Sequence, residues 1–260
     1  MHPNPFLKAP LSAAVTIMEN ERLSRIIQRF REMRLPMMAE QLIHLIESNE
    51  FPTLSPIDLL DQISEAELLS RKNNTVERLR KNARFSQANA RLVELHYKPE
   101  RNLNKSLIQQ FQTNDYVRKY RNVILLGATG SGKSYLANAL GHQACEGFHT
   151  VLYVRMYEII GDLAQARLMG DTRRAYQRFI QPDVLIIDDF LIYTINEKEV
   201  IDLFKIMEYR HNRNSTIFCS QYEPVEWHRR LGGDPLAESI IDRIISNSHK
   251  MILSGNSLCQ

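Results

Sequence analysis

The chain has little cysteine. Cys145, Cys219 and Cys259 are the only thiols in 260 residues. So few, so widely spaced and odd in number, they form neither a disulfide framework nor a zinc-ligand pattern, and they point to a reducing compartment. Long apolar runs are missing too. A membrane-spanning helix needs roughly 20 consecutive apolar residues, and no such run occurs. The N-terminal LSAAVTIM is short, follows Pro3, Pro5 and Pro10, and lacks a clear basic flank, so no signal peptide is expected. Internal repeats and low-complexity segments are also absent. Together these gaps disfavour a secreted disulfide scaffold and a helical membrane protein, and they lead to an expectation of a cytoplasmic location with no membrane partner.

What is present is the composition of a globular chain: 43% apolar and 24% charged residues. The length suits one large domain or a small domain plus a medium one. The net charge is only +3, but it is unevenly spread. Residues 1–105 hold 16 Lys/Arg against 13 Asp/Glu, whereas residues 106–260 hold 17 of each. Between residues 71 and 105, ten basic side chains (Arg71, Lys72, Arg78, Arg80, Lys81, Arg84, Arg91, Lys98, Arg101 and Lys105) face only Glu77, Glu94 and Glu100. That local excess is a candidate footprint for an anionic polymer. A solvated basic helix face has the same composition.

Two textures follow one another. Residues 1–18 read as a flexible extension, and Met18, which opens MENERLSRIIQRF, reads as a domain start. From Leu23 to Phe30, apolar residues recur at helical spacing between arginines. Pro36 interrupts, MMAEQLIHLIES resumes, and Ser55-Pro56 gives the N-cap and first turn of a third helix. Residues 19–95 are expected as a small all-α domain, residues 96–120 as a linker, and residues 121–257 as a second domain. There the near-continuous apolar runs NVILLG, TVLYVR, DVLIID, STIFCS and KMIL alternate with helical stretches. This pattern indicates a parallel five-stranded sheet covered on both faces, a three-layer α/β/α arrangement. Asn196 and Glu199 form a box-like cap for one of the covering helices.

GATGSGKS matches G-x-x-x-x-G-K-[ST] at Gly127, Gly132, Lys133 and Ser134, after a strand and before a helix, the context the motif requires. Gly127, Ala128, Thr129, Gly130, Ser131 and Gly132 would turn backbone N–H groups towards phosphate oxygens. The helix starting near Lys133, with Ser134 and Tyr135 in its first turn, would add its positive dipole end. Lys133 would reach the β- and γ-phosphates of ATP, and the Ser134 hydroxyl would ligate Mg²⁺. DVLIIDDF ends a strand in acid. Asp188 is expected to hold Mg²⁺, directly or through water, and Asp189 to orient the attacking water. A glycine turn without a ligand, or a strand ending in a polar turn, is the bland alternative for each motif alone.

The order GATGSGKSYLANALG, VLIIDDF, IFCSQYEPVEW, LAESIIDRI resembles the IstB-like transposition helper ATPases, relatives of the DnaC-type helicase loaders in the AAA+ superfamily of P-loop NTPases. The resemblance runs through most of residues 96–257 and, more weakly, the helical front end. It implies that Ser220 and Gln221 sense the γ-phosphate. It implies that Arg243 of DRI is an arginine finger for the adjacent protomer's nucleotide. It makes Arg210 a weaker candidate for a subunit contact, with a surface salt bridge as the alternative. Three departures stand out. Leu191 replaces the glycine that often follows DDF, Cys259 falls where the family has a C-terminal arginine, and no arginine follows Arg243. A lid with a second sensor arginine is therefore not expected, which implies hydrolysis that is slow or depends on neighbours.

The function expected from this resemblance is an ATP-dependent, DNA-binding transposition helper. It would form a homo-oligomer on duplex DNA, largely without sequence preference, and recruit a transposase. The segment 71–105, or Arg167 with Arg173 and Arg174, would meet the phosphates. The alternatives are a replicative helicase loader, a small-molecule kinase, which would need an arginine-rich lid, and a nucleotide switch that does not hydrolyse.

Overall fold

The computed structural model describes residues 9–48, 50–95 and 104–254, with residues 9–20 as backbone only. Residues 1–8 of the expected extension, residues 96–103 of the expected linker, Lys98, Arg101 and Cys259 lie outside the described residues. The chain forms two compact units, residues 1–75 and 76–260.

The first unit holds α1 (Ala9–Glu32), α2 (Pro36–Glu47), a short 3₁₀ turn at Phe51–Thr53 and most of α3 (Pro56–Ala83). The helix begins at Ala9, inside the stretch expected as an extension. Ser55 caps α3 as its sequence indicates, its Oγ accepting from the Asp58 amide at 3.2 Å. Leu42, Leu45 and Ile63 are buried among Ile27, Phe30, Met38 and Leu59. The Glu67 carboxylate accepts from the Met37 amide at 3.0 Å and pairs with Arg71 at 2.8 Å, which ties the start of α2 to α3.

The second unit is a five-stranded, all-parallel sheet of β1 (Asn122–Leu126), β2 (Val151–Arg155), β3 (Val184–Asp188), β4 (Ser215–Ser220) and β5 (Ser248–Ile252), in the order β2-β3-β4-β1-β5. Four lie in the apolar runs expected as strands, and β5 overlaps the fifth, KMIL, but starts two residues earlier at Ser248. The pleat sends alternate residues to opposite layers. Val123, Leu125, Ile186 and Ile217 pack under α6 (Lys133–Glu146), with α4 (Lys105–Gln112) and α5 (Asp115–Arg118) in the same layer. Ile124, Leu126, Leu185 and Phe218 face α7 (Met156–Met169), α8 (Thr172–Ile180), α9 (Glu197–Arg210), α10 (Pro224–Arg230) and α11 (Pro235–Ile245). Burying each such side chain is worth about 1.5–3 kcal/mol, so burial on both faces explains why the strands read as unbroken apolar runs. The box-like cap of α9 forms as expected, with Asn196 Oδ1 accepting from the Lys198 and Glu199 amides.

Two expected boundaries move. Residues 76–95 belong to the second unit, because Ala83, Ala90, Leu92 and Leu95 are buried in the α6 layer. The described part of the expected linker is likewise structured, since Ile108, Phe111, Tyr116 and Val117 of α4 and α5 are buried. Among the described residues, no helix is long and apolar enough to cross a membrane.

Candidate nucleotide-binding site

The phosphate loop leaves the carboxyl end of β1 and enters α6. Asp188 and Asp189 lie at the end of β3, one strand away across β4. The crevice beyond the carboxyl ends of parallel strands is where open α/β sheets bind ligands. Backbone bonds hold the ends together: the Gly127 amide donates to Ser220 O at 3.3 Å and the Phe190 amide to Cys219 O at 2.8 Å.

The loop's glycines are required by geometry. Gly127, Gly130 and Gly132 have φ of 153°, 81° and 96°, values that side chains rarely tolerate. A Cβ on Gly127 would lie 2.4 Å from Leu253 O and 2.7 Å from Ser131 Oγ. Gly132 caps α6 without any side-chain hydrogen bond, so the first-turn amides are left for an anion. The Ser131 hydroxyl is buried without a partner. The Lys133 ammonium donates to the carbonyls of Gly127 and Ala128, both at 2.8 Å. Burial pulls its pKa below the usual lysine range, against the pull of Cys219, Asp188 and Asp189. This cradle of free amides, an orphaned hydroxyl and a desolvated cation fits a polyphosphate.

Asp188 is buried with both oxygens in use. Tyr153 Oη donates to Oδ2 at 2.7 Å and the Asp189 amide donates to Oδ1 at 3.0 Å. Asp189 is half-exposed, with Arg155 Nε 3.9 Å from its Oδ2. Burial, then the neighbouring Asp188, raises its pKa. Asp189 and Leu191 both take left-handed backbone, with φ of 54° and 53°. Leu191 thus occupies a glycine-like conformation, and full burial of its side chain offsets the local strain. Among the described residues no cluster of three His, Cys, Asp or Glu could hold a metal ion. The Ser134 hydroxyl and Asp188 offer hard oxygen donors of the kind Mg²⁺ prefers, with phosphate oxygens needed to complete its shell.

Some expected site residues are placed otherwise. The buried Ser220 hydroxyl donates to Phe190 O at 2.9 Å and accepts from Trp227 Nε1 at 3.1 Å and the Tyr222 amide at 3.2 Å. One donor and two acceptor sites exhaust a hydroxyl, so Ser220 braces the strand end and is withdrawn from γ-phosphate sensing. The exposed Gln221 remains at that position. The Tyr135 hydroxyl donates to Glu94 Oε2 at 3.1 Å and accepts from the Arg91 amide at 3.3 Å. Its side chain therefore ties residues 91–94 to α6, and only its backbone lies in the loop's helix start. Arg210 is neither a subunit contact nor part of a surface ion pair. It is 2% exposed and donates to Thr216 Oγ1 and to the carbonyls of Phe179, Ile180, Pro182 and Ser215.

Arg243 lies far from its own loop. The carbonyls of Arg243 and Ile244 accept from Asn122 Nδ2 at 3.3 and 3.0 Å. Asn122 opens β1 and Gly127 follows its end, so about 16 Å of strand separates them. The guanidinium pairs with Glu208, bonds to Ser239 and stacks over Phe204 at 5.1 Å. Sequence reading missed Tyr153 and Arg155, which sit behind the two aspartates. Register could have found them, since Arg155 pairs with Asp188 across β2 and β3.

Comparisons with known proteins agree with this geometry. The family model described as IstB-like ATP binding protein matches residues 28–260. An insertion-sequence ATP-binding protein of Sinorhizobium fredii is 33% identical over 234 residues, 89% of this chain and 94% of that protein. The ATP-binding protein of insertion sequence IS1162 from Pseudomonas fluorescens is 33% identical over 75% of this chain and 84% of its own length. Among solved structures, the DnaC helicase loader aligns with TM-score 0.53 and 19% identity over 64% of this chain and 97% of that one. The DnaA replication initiator bound to AMPPCP and single-stranded DNA aligns with TM-score 0.54 and 17% identity over 66% and 52%. At such identities the likeness is one of fold, the AAA+ type of P-loop NTPase. With the phosphate loop, the paired aspartates and a family match over most of its length, the chain belongs to the IstB-like ATP-binding protein family.

Proposed function

We propose that this protein is an ATP-hydrolysing, DNA-binding helper of transposition that works as a homo-oligomer and engages the transposase of its own insertion sequence. The observation that carries the reading is the division of one catalytic set between two ends of the sheet. Lys133, Ser134, Asp188 and Asp189 converge at the carboxyl ends, and Arg243 stands at the amino ends. A cation so placed serves a neighbour's nucleotide, not its own. The insertion-sequence relatives support the transposition context.

Lys133 would bind the β- and γ-phosphates, and the loop amides would orient them. Ser134 and Asp188 would hold Mg²⁺, which when bound offsets charge on the phosphates. Asp189 would accept the proton of the attacking water, and Arg243 of the adjacent protomer would stabilise transition-state charge. Gln221 is the remaining candidate to sense the γ-phosphate. Of the basic residues named from the sequence, Arg167 pairs with Asp202 and Arg80 with Glu77 and Glu146. Arg173 and Arg174 on α8, and Arg78, Lys81 and Arg84 near the end of α3, are exposed and suited to DNA phosphates.

A gel shift of duplex DNA at rising salt, with ATP, ADP or no nucleotide, tests this. Nucleotide-dependent binding that weakens steeply with salt and tolerates sequence change is expected; failure to bind duplex under any nucleotide condition would sink the proposal. The second reading, a replicative helicase loader, draws on the fold likeness to the DnaC helicase loader. Pull-downs with the transposase and with a replicative helicase separate the two.

A further inference from the structure

The front unit exposes several large apolar side chains. On α3, Ile57 and Leu60 are 77% and 61% exposed, and Leu68 and Leu69 are more than half exposed. Ile57 and Leu68 lie opposite the face through which Leu59 and Ile63 join the front unit's core, and Leu60 and Leu69 flank them on either side of the helix. Asp61 and Glu65 stand exposed among them. An exposed helix face that sets apolar side chains on either side of a pair of carboxylates offers a binding surface, and its acidic centre calls for a basic amphipathic helix laid along it.

The same unit presents that counterpart. On α1, Arg22, Arg25 and Arg29 are exposed together with Ile26 and, further along, Met33, which is 57% exposed. The positions 22, 25, 26, 29 and 33 fall on one side of a helix. Among the described residues, none of Arg22, Arg25, Arg29, Asp61 and Glu65 has an ion-pair partner. The two faces also match in length: residues 22–33 and 57–69 each span about 17–18 Å. In one copy both faces are exposed, so they do not satisfy each other.

The geometry points to a second copy of this chain as the occupant: the basic face of α1 in one protomer docks on the acidic, apolar face of α3 in another. This adds to the proposed oligomer a joint that lies in the front unit and needs no nucleotide. It rests on that reading only in that copies of the chain associate. A reciprocal contact would close a dimer, and a one-way contact would continue into a ring or filament.

The test uses the full chain without nucleotide, with self-association followed by sedimentation equilibrium. One variant is Asp61→Lys with Glu65→Lys, and the other is Arg25→Glu with Arg29→Glu. Each alone sets like charges against each other at every α1–α3 contact and is expected to weaken association at least about tenfold. An equimolar mixture places opposite charges at every mixed contact and is expected to recover association to within about threefold of the wild type. Leu60→Ser with Leu68→Ser, which leaves the charges alone, should also weaken association. Helical circular dichroism and binding of a fluorescent ATP analogue confirm that each variant is folded. A wild-type chain that stays monomeric into the high-micromolar range overturns the proposal, as would a mixture that stays dissociated. Arg243→Ala, run in parallel, should keep this nucleotide-free association. Any loss of its ATP-dependent behaviour reports on the trans finger and not on the front-unit joint.

Discussion

At the scale of the residue, the site contrasts two neighbouring carboxylates. Asp188 is buried and takes hydrogen bonds on both oxygens, while Asp189 is half-exposed on left-handed backbone with Arg155 nearby. The first is shaped to stay put and the second to meet a mobile reactant. Asp189→Asn should lower hydrolysis at least about a hundredfold while ATP-analogue affinity changes only a few-fold; steady-state turnover and a fluorescence titration check both halves. Burial raises the Asp189 pKa, so turnover should fall on the acid side at a higher pH than an ordinary aspartate would give. The folded state also holds this proton more tightly than the unfolded chain. The resulting stabilisation is full below the unfolded pKa and is lost as pH rises through the folded one. Urea unfolding across that window should show the loss in the wild type and not in Asp189→Asn. Behind Asp188, Tyr153→Phe removes the 2.7 Å bond and should cost about 1–3 kcal/mol in urea unfolding. It should also raise the Mg²⁺ concentration needed for half-maximal binding of the ATP analogue. An unmoved Mg²⁺ midpoint would reduce Tyr153 to packing.

At the scale of the element, the helices and strand ends that frame the site are held by buried polar ties. Ser220 joins the end of β4 to the turn after β3 and to Trp227 of α10. Arg210 joins the end of α9 to the carbonyls that close α8 and to the start of β4. Burial depresses the Arg210 pKa to about 9, the mark of a cation held by dipoles with no carboxylate in contact. Arg210→Met would strand several buried carbonyls and should destabilise the second unit by about 3–5 kcal/mol, measured by chemical denaturation. Near-wild-type stability would mean that water replaces the guanidinium. Ser220 and Arg210 both look functional in sequence, as polar residues near the strand that ends in the two aspartates. Their hydrogen bonds give them structural roles.

At the scale of the whole molecule, Arg243 and the phosphate loop stand at opposite ends of one sheet, so under the proposed function a complete site would need two copies. This predicts complementation. Asp189→Asn keeps a working finger and Arg243→Ala keeps a working loop, and each alone should be nearly inactive. Mixed in equal amounts, they should regain hydrolysis, because a fraction of interfaces pairs an intact loop with an intact finger. Absence of recovery in a mixture that still co-assembles would remove Arg243 from its trans role. The resting partner of Arg243 is Glu208, half-exposed and open to solvent. Such ion pairs contribute little, so a neighbour's phosphates would displace Glu208 readily.

The sequence alone determined the five strands, the phosphate loop and the acidic strand end. These depend on local chemistry: β-rich apolar runs, glycines that permit positive φ, and a lysine and carboxylates adjacent in the chain. The caps of α3 and α9 were legible for the same reason. Residues 76–95 and 104–118 were not, because their apolar positions are sparse and only the surface of α6 and the sheet makes them core. Tyr153, Ser220 and Arg210 acquire their roles from partners on other parts of the fold. The position of Arg243 relative to its own loop depends on which end of the sheet each element reaches. Residue type and spacing carry the local rules, whereas partnership and distance exist only once parallel strands set the carboxyl ends against the amino ends.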